Sequence, residues 1–194
     1  MGRVLRLGLV VLLFAAVGCA HSITITPDVG SISASGINRI DKNVGYYISP
    51  NDLALEVVTP AGGGDKVKYF PYQESEPALK QVLSNIFREA HLLKSPSDAA
   101  FITSKNISYI FIPVITTDSS SRSSWIWPPS DFTVTLNCKA TDGAGRVVWE
   151  TRVTGEAHMR LPDVHRDRNL AGKEAVKNAF SELQGKILSA DVLR

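Results

Sequence analysis

The chain is poor in the residues from which sites are usually built: 194 residues hold two cysteines, Cys19 and Cys138, and four histidines. Two cysteines cannot make a disulfide-stapled scaffold. His21, His91, His158 and His165 fall at no helical or zinc-site spacing, so neither a metal nor a cofactor is expected. An excess of one charge is also missing, with 21 basic side chains against 19 acidic ones, and nucleic-acid binders carry a basic footprint that this chain lacks. Catalytic signatures are equally thin. There is no G-x-S-x-G elbow, and the stretch Gly62-Gly63-Gly64-Asp65-Lys66 lacks the Ser/Thr that follows a P-loop lysine. The residues after it look extended, so the glycines read as a flexible turn between strands. His165-Arg166-Asp167 imitates the start of a kinase catalytic loop, but Gly172 stands where the asparagine is needed. The economical reading is a protein that is not an enzyme.

What the chain does have begins at its N-terminus. Residues 7–19 form an apolar run preceded by Arg3 and Arg6. The run is shorter than the roughly 20 residues that span a bilayer, and its charged start and small-residue end are those of a secretory signal. The segment Ala16-Val17-Gly18-Cys19 resembles the lipobox of bacterial lipoproteins. That resemblance implies cleavage after residue 18, acylation of Cys19 and a membrane anchor at the new N-terminus; an ordinary cleaved signal is the other reading. Ala20 rather than Asp follows the cysteine, which by resemblance to enterobacterial sorting implies the outer membrane. Loss of Arg3 and Arg6 takes the basic count to 19, equal to the acidic one. The remaining length suits one domain. Cys138 then stands alone on the apolar side of a strand, where a free thiol acts as a small hydrophobe.

Residues 19–43, rich in Ser and Gly with scattered Ile, read as a flexible tether, leaving residues 44–194 as a single domain. Residues 44–48 read as a strand, and residues 53–58 and 67–72 compete for a second place in the sheet. Residues 74–93 read as a helix, with Ser75 as N-cap, a stripe through Leu79, Val82, Leu83, Ile86, Phe87 and Ala90, and His91 at its C-terminal end. Residues 107–116 are apolar on both faces, as in a central strand, with Pro113 marking a bulge or an edge. The polar loop that follows carries Trp125, Ile126 and Trp127, the candidate partner-binding residues. Two tryptophans in such a loop need a surface, which can be the protein's own sheet edge, a protein partner or a lipid interface.

Residues 132–141 alternate strictly, turn at Asp142-Gly143-Ala144-Gly145 and return over residues 146–157, with Val147, Trp149 and Val153 pointing inward. A last helix over residues 170–188 carries an apolar stripe through Ala175, Val176, Ala179, Phe180, Leu183 and Ile187. The expected fold class is α+β, an antiparallel sheet of four to five strands with two long helices packed on one face.

This layout resembles the small α+β envelope lipoproteins of the LptE and YajG types. Val44-Gly45-Tyr46-Tyr47-Ile48-Ser49, Gly62-Gly63-Gly64-Asp65-Lys66-Val67, Trp127-Pro128-Pro129 and the hairpin from Phe132 to Trp149 resemble a set of uncharacterised proteobacterial lipoproteins. The resemblance covers most of residues 43–190. It implies an envelope lipoprotein anchored through Cys19, facing the periplasm and serving a protein partner in an accessory role, with no catalytic residue to carry over. A lipid or glycan held between helices and sheet is the alternative, and a cryptic hydrolase the least favoured reading.

Overall fold

The computed structural model describes residues 20–34, 36 and 38–194; the N-terminal run expected to be a signal and Cys19 lie outside the described residues. Among the described residues, eight strands form two sheets. The larger has the order β5-β2-β6-β7-β8, built from β2 (Ile40–Tyr46), β5 (Phe87–Leu92), β6 (Ile107–Ser120), β7 (Asp131–Thr141) and β8 (Val147–His158). The smaller has the order β1-β4-β3, from β1 (Ala20–Ser22), β3 (Val57–Pro60) and β4 (Lys66–Tyr69). Two long helices, α2 (Pro71–Ile86) and α5 (Leu170–Leu188), pack on one face of the larger sheet and against each other. Three short helices complete the set: α1 (Pro50–Leu53), α3 (Ala99–Ser104) and α4 (Leu161–Arg166).

The α+β class and the paired helices agree with the sequence reading, but the larger sheet is mixed rather than antiparallel. β2 runs parallel to both β5 and β6. Parallel neighbours need a crossover, which α2 supplies between β2 and β5. The single helix read over residues 74–93 hid this. The stripe through Phe87 and Ala90 continues the helical period, yet the helix stops at Ile86 because Phe87 enters the core opposite Ile40. His91 therefore lies in β5 rather than at a helix end. Ser75 is not an N-cap: it is buried inside α2, which opens at Pro71, with the Glu74 carboxylate accepting from the Phe70 N–H at 3.1 Å. Of residues 53–58, only the end becomes strand, since Ser49 caps α1 and accepts from the Asp52 N–H. β3 and β4 then form an antiparallel pair around the glycine turn.

The stretch read as a tether is packed from residue 20 onward. β1 pairs in parallel with β4, and Ile23, Ile25 and Ile32 are buried. Burial of a side chain such as Ile25 contributes about 2 kcal/mol, which a solvated linker would forgo. Scattered isoleucines without a period were the only trace of this in the sequence.

The hairpin of β7 and β8 is as read from the alternation. Phe132, Val134, Leu136, Cys138 and Ala140 face the helices and are buried. Asp142 Oδ1 accepts from the Ala144 and Arg146 N–H groups, and Gly145 takes the left-handed φ of +79° that closes the turn. Val147 departs from the reading, being 54% exposed. Of the two expected outcomes for Pro113, a bulge or an edge, the structure shows the edge. It pairs with Cys138 at a position where the backbone of β6 turns away from β7, beyond the end of β2, so no ladder bond is lost. Two residues on, the Ile115 N–H points the same way and is satisfied by the Tyr72 hydroxyl at 3.1 Å.

Candidate functional site

The loop between β6 and β7 is ordered by its serines. Ser123 Oγ accepts from the N–H groups of Trp125 (3.1 Å) and Ile126 (3.0 Å), and Ser121 Oγ accepts from the Ser123 N–H (3.2 Å). At the base, buried Ser130 accepts from the Arg122 N–H at 3.1 Å and donates to Asp131 at 2.7 Å. Asp131 also accepts from Arg122 Nη2 (3.0 Å) and His158 Nδ1 (2.7 Å). Burial would raise the Asp131 carboxyl, but the His158, Ser130 and Arg122 hydrogen bonds outweigh it and hold the group below the usual carboxylate range. The hydrogen bond to Asp131 in turn raises His158.

The three sequence candidates do not behave alike. Trp127 is half-buried: its ring stacks on His21 at 4.1 Å between centroids and 16° between planes, and the Arg168 guanidinium lies 5.6 Å from its centroid. Its carbonyl accepts from the Gly62 N–H at 2.9 Å. Ile126 is half-buried, and Trp125 stands 95% exposed. The loop thus meets the protein's own surface through Trp127 and leaves Trp125 bare.

The glycine run is part of this corner. A Cβ on Gly62 would lie 1.9 Å from the Ile126 carbonyl oxygen and 2.8 Å from that of Ser123, so the loop can rest there only on a glycine. Gly63 and Gly64 adopt φ of +67° and +84°, which complete the turn. Lys66 plays no part in a phosphate cradle; it starts β4. On the loop's other flank stands α4. Trp125, Ile126, Val164 and His165 border an open cleft of about 300 Å³, and a neighbouring groove of about 460 Å³ runs past Leu161, Pro162 and Arg166. His165-Arg166-Asp167, which imitates a kinase catalytic loop in sequence, forms the end of α4 and the turn after it. His21, Arg166 and Arg168 join the candidates here; their polar neighbours gave no apolar period by which to find them.

Other groups with chemical potential lie apart. Cys138 is a free, buried thiol, which burial pushes up to about 12. His21, His91 and His158 each lie within 3.1 Å of a carboxylate, on Asp65, Glu89 and Asp131. Among the described residues no cluster of three or more His, Cys, Asp or Glu could hold a metal. The space between helices and sheet, where a ligand was the alternative reading, is filled by Phe87, Phe111, Phe132, Leu136 and Phe180.

The second feature is an edge. β8 ends the larger sheet, and the Met159 N–H donates to the Ser130 carbonyl at 2.7 Å, which sets the phase of the β7–β8 ladder. Odd-numbered residues of β8 bond β7, so Glu150, Arg152, Thr154 and Glu156 turn their N–H and C=O groups outward. Among the described residues, the Glu156 carbonyl is met by Asn178 Nδ2 at 2.9 Å.

No family model matches the chain, and no curated protein matches it. Its fold has a counterpart in Xanthomonas campestris. That protein, of the DUF330 family, superposes with a TM-score of 0.56 at 13% identity, over 88% of this chain and 95% of the other, which shows the fold alone. A provisional lipoprotein of Caulobacter crescentus is similar at a TM-score of 0.36, with 9% identity over 59% of this chain and 78% of that one. A dodecameric PelC variant from Paraburkholderia phytofirmans gives 0.39, with 14% identity over 76% and 91%. Among the described residues, no helix is long and apolar enough to cross a membrane.

Proposed function

We propose that this chain is an accessory lipoprotein of a bacterial outer membrane, anchored through Cys19 on the periplasmic side, which binds a protein partner and carries out no catalysis. The observation that carries the reading is the outward row of backbone groups on β8. Along this twelve-residue edge strand Glu150, Arg152 and Thr154 turn their N–H and C=O groups outward, and an extended segment of a partner can add to such an edge as a further strand. Alternating Glu150, Arg152, Thr154 and Glu156 would give that pairing its charge pattern. The lipobox supports the anchor, and the start of packed structure at Ala20 supports a domain held close to the bilayer. Neither Cys138, buried and protonated, nor any carboxylate-paired histidine offers a nucleophile and base in one place.

Thr154→Pro tests the edge. The Thr154 N–H points away from β7, so proline removes an outward donor without breaking the ladder. Cross-linking in membranes of the native host should capture a partner with the wild-type chain and lose it with Thr154→Pro, while the thermal transition stays put. Equal capture by both chains would move the partner surface elsewhere.

A further inference from the structure

Trp125 raises a separate question, because a 95% exposed tryptophan beside an apolar groove is costly to leave in water. We infer that the corner made by the Trp125 loop and α4 docks into the lipid leaflet that holds the Cys19 acyl chains, an inference that rests on the anchored reading above.

Connectivity carries the argument. His21, whose ring stacks on Trp127, is two residues from Cys19, and two residues of chain span at most about 7 Å. An acyl chain on Cys19 must therefore enter the bilayer beside this loop, and the bilayer surface must pass close to it. The side chains there suit that surface. Trp125, Ile126, Leu161 and Pro162 supply apolar area, and tryptophan is favoured at the headgroup level. Arg166 and Arg168 have no carboxylate partner among the described residues, whereas nearby Arg122 and Arg160 are paired with Asp131 and Asp163. Two guanidinium groups without a carboxylate partner among the described residues, on long apolar stems, match phospholipid phosphates above an acyl region. The resulting orientation fits the edge proposal: β8 runs from His158 beside the leaflet to Val147 about 35 Å away, so its open side spans the space above the membrane.

The test uses the full chain purified from membranes and reconstituted in phosphatidylethanolamine–phosphatidylglycerol vesicles with brominated acyl chains. Its Cys19 status is read in parallel by intact mass. Bromine quenching of tryptophan emission is expected for the wild type and should be largely lost in Trp125→Phe, because Trp127 and Trp149 are half-buried against the protein. Arg166→Gln should lower the quenching in these anionic vesicles and leave it unchanged in neutral ones. Acylated protein whose Trp125 emission is unquenched, and open to acrylamide on the vesicle, would overturn the docking and leave the anchor standing. Unacylated protein that is still quenched through Trp125 would keep the docking and remove the anchor. Unacylated, unquenched protein would remove both.

Discussion

The Asn85 side chain on α2 donates to Gln184 Oε1 on α5 at 2.8 Å and to the carbonyl of Ile32 at 3.1 Å, while Gln184 Nε2 reaches the carbonyl of Ser33 at 2.8 Å. Two helices of the domain thus hold the backbone of the N-terminal segment at Ile32 and Ser33. Glu74 does the same further up, accepting from the Thr24 hydroxyl at 2.8 Å and from the Ile25 N–H. Pinned at these points, the segment moves with the domain rather than as a free tether.

Asn85→Leu should break this pin. Asn85 is 3% exposed, and its loss leaves the Ile32 carbonyl and the Gln184 amide short of partners, at a cost of about 1–3 kcal/mol. Urea unfolding should show the loss, and limited proteolysis should cut within residues 27–39 sooner than in the wild type.

Glycine substitutions should separate close approach from mere turn geometry. Gly62→Ala places a methyl group 1.9 Å from the Ile126 carbonyl and should shift the loop, seen as changed tryptophan emission and a lowered Tm. Gly64→Ala meets no atom within 4 Å but sits at φ +84°, costing about 1 kcal/mol with the loop unmoved. Gly143→Ala has neither handicap and should be silent.

The Asp131–His158 pair should make the base of the Trp125 loop sensitive to pH at both ends. His158 is raised, so its contribution is complete below the ordinary imidazole value of about 6.5 and is lost as pH rises through the higher folded value. Asp131 is lowered, so its contribution is complete above the ordinary carboxylate value of about 4 and is lost as pH falls through the lower folded value. The pair is therefore intact between those ordinary values. Titration of the His158 ring by NMR should give a midpoint above the usual one, returning toward it in Asp131→Asn.

Cys138 should be inert in the folded chain, since burial pushes the thiol up to about 12 and closes access to it. In a Cys19→Ala background, a maleimide should label Cys138 only after denaturation. Cys138→Ser buries a hydroxyl on the apolar face of β7 and should cost about 1–3 kcal/mol in urea unfolding.

Those parts of the fold governed by local period were readable from the chain. Phe132 to Ala140 alternate without interruption, and Ala175 to Ile187 keep one helical stripe, so β7 and α5 declare themselves. Phe87 and Ala90 prolonged the stripe of α2 although the pairing of β5 with β2 had already ended the helix; only contacts distant in sequence decide that. Ile25 and Ile32 lie in a run with no period at all, and their burial depends on Glu74, Asn85 and Gln184. At the site, Trp125 to Trp127 were conspicuous as aromatics in a polar loop. What separates them, Trp127 stacked on His21 and Trp125 bare, depends on Gly62 and α4 meeting the loop from other parts of the chain.

Anchoring through Cys19 is tested by the intact mass of the protein taken from membranes of a Gram-negative host, beside its Cys19→Ala variant. The wild-type chain should begin at residue 19 and carry a diacylglyceryl and a further acyl group in the outer-membrane fraction, with both the added mass and the membrane location lost in the variant. An unmodified wild-type chain in the soluble fraction would contradict it.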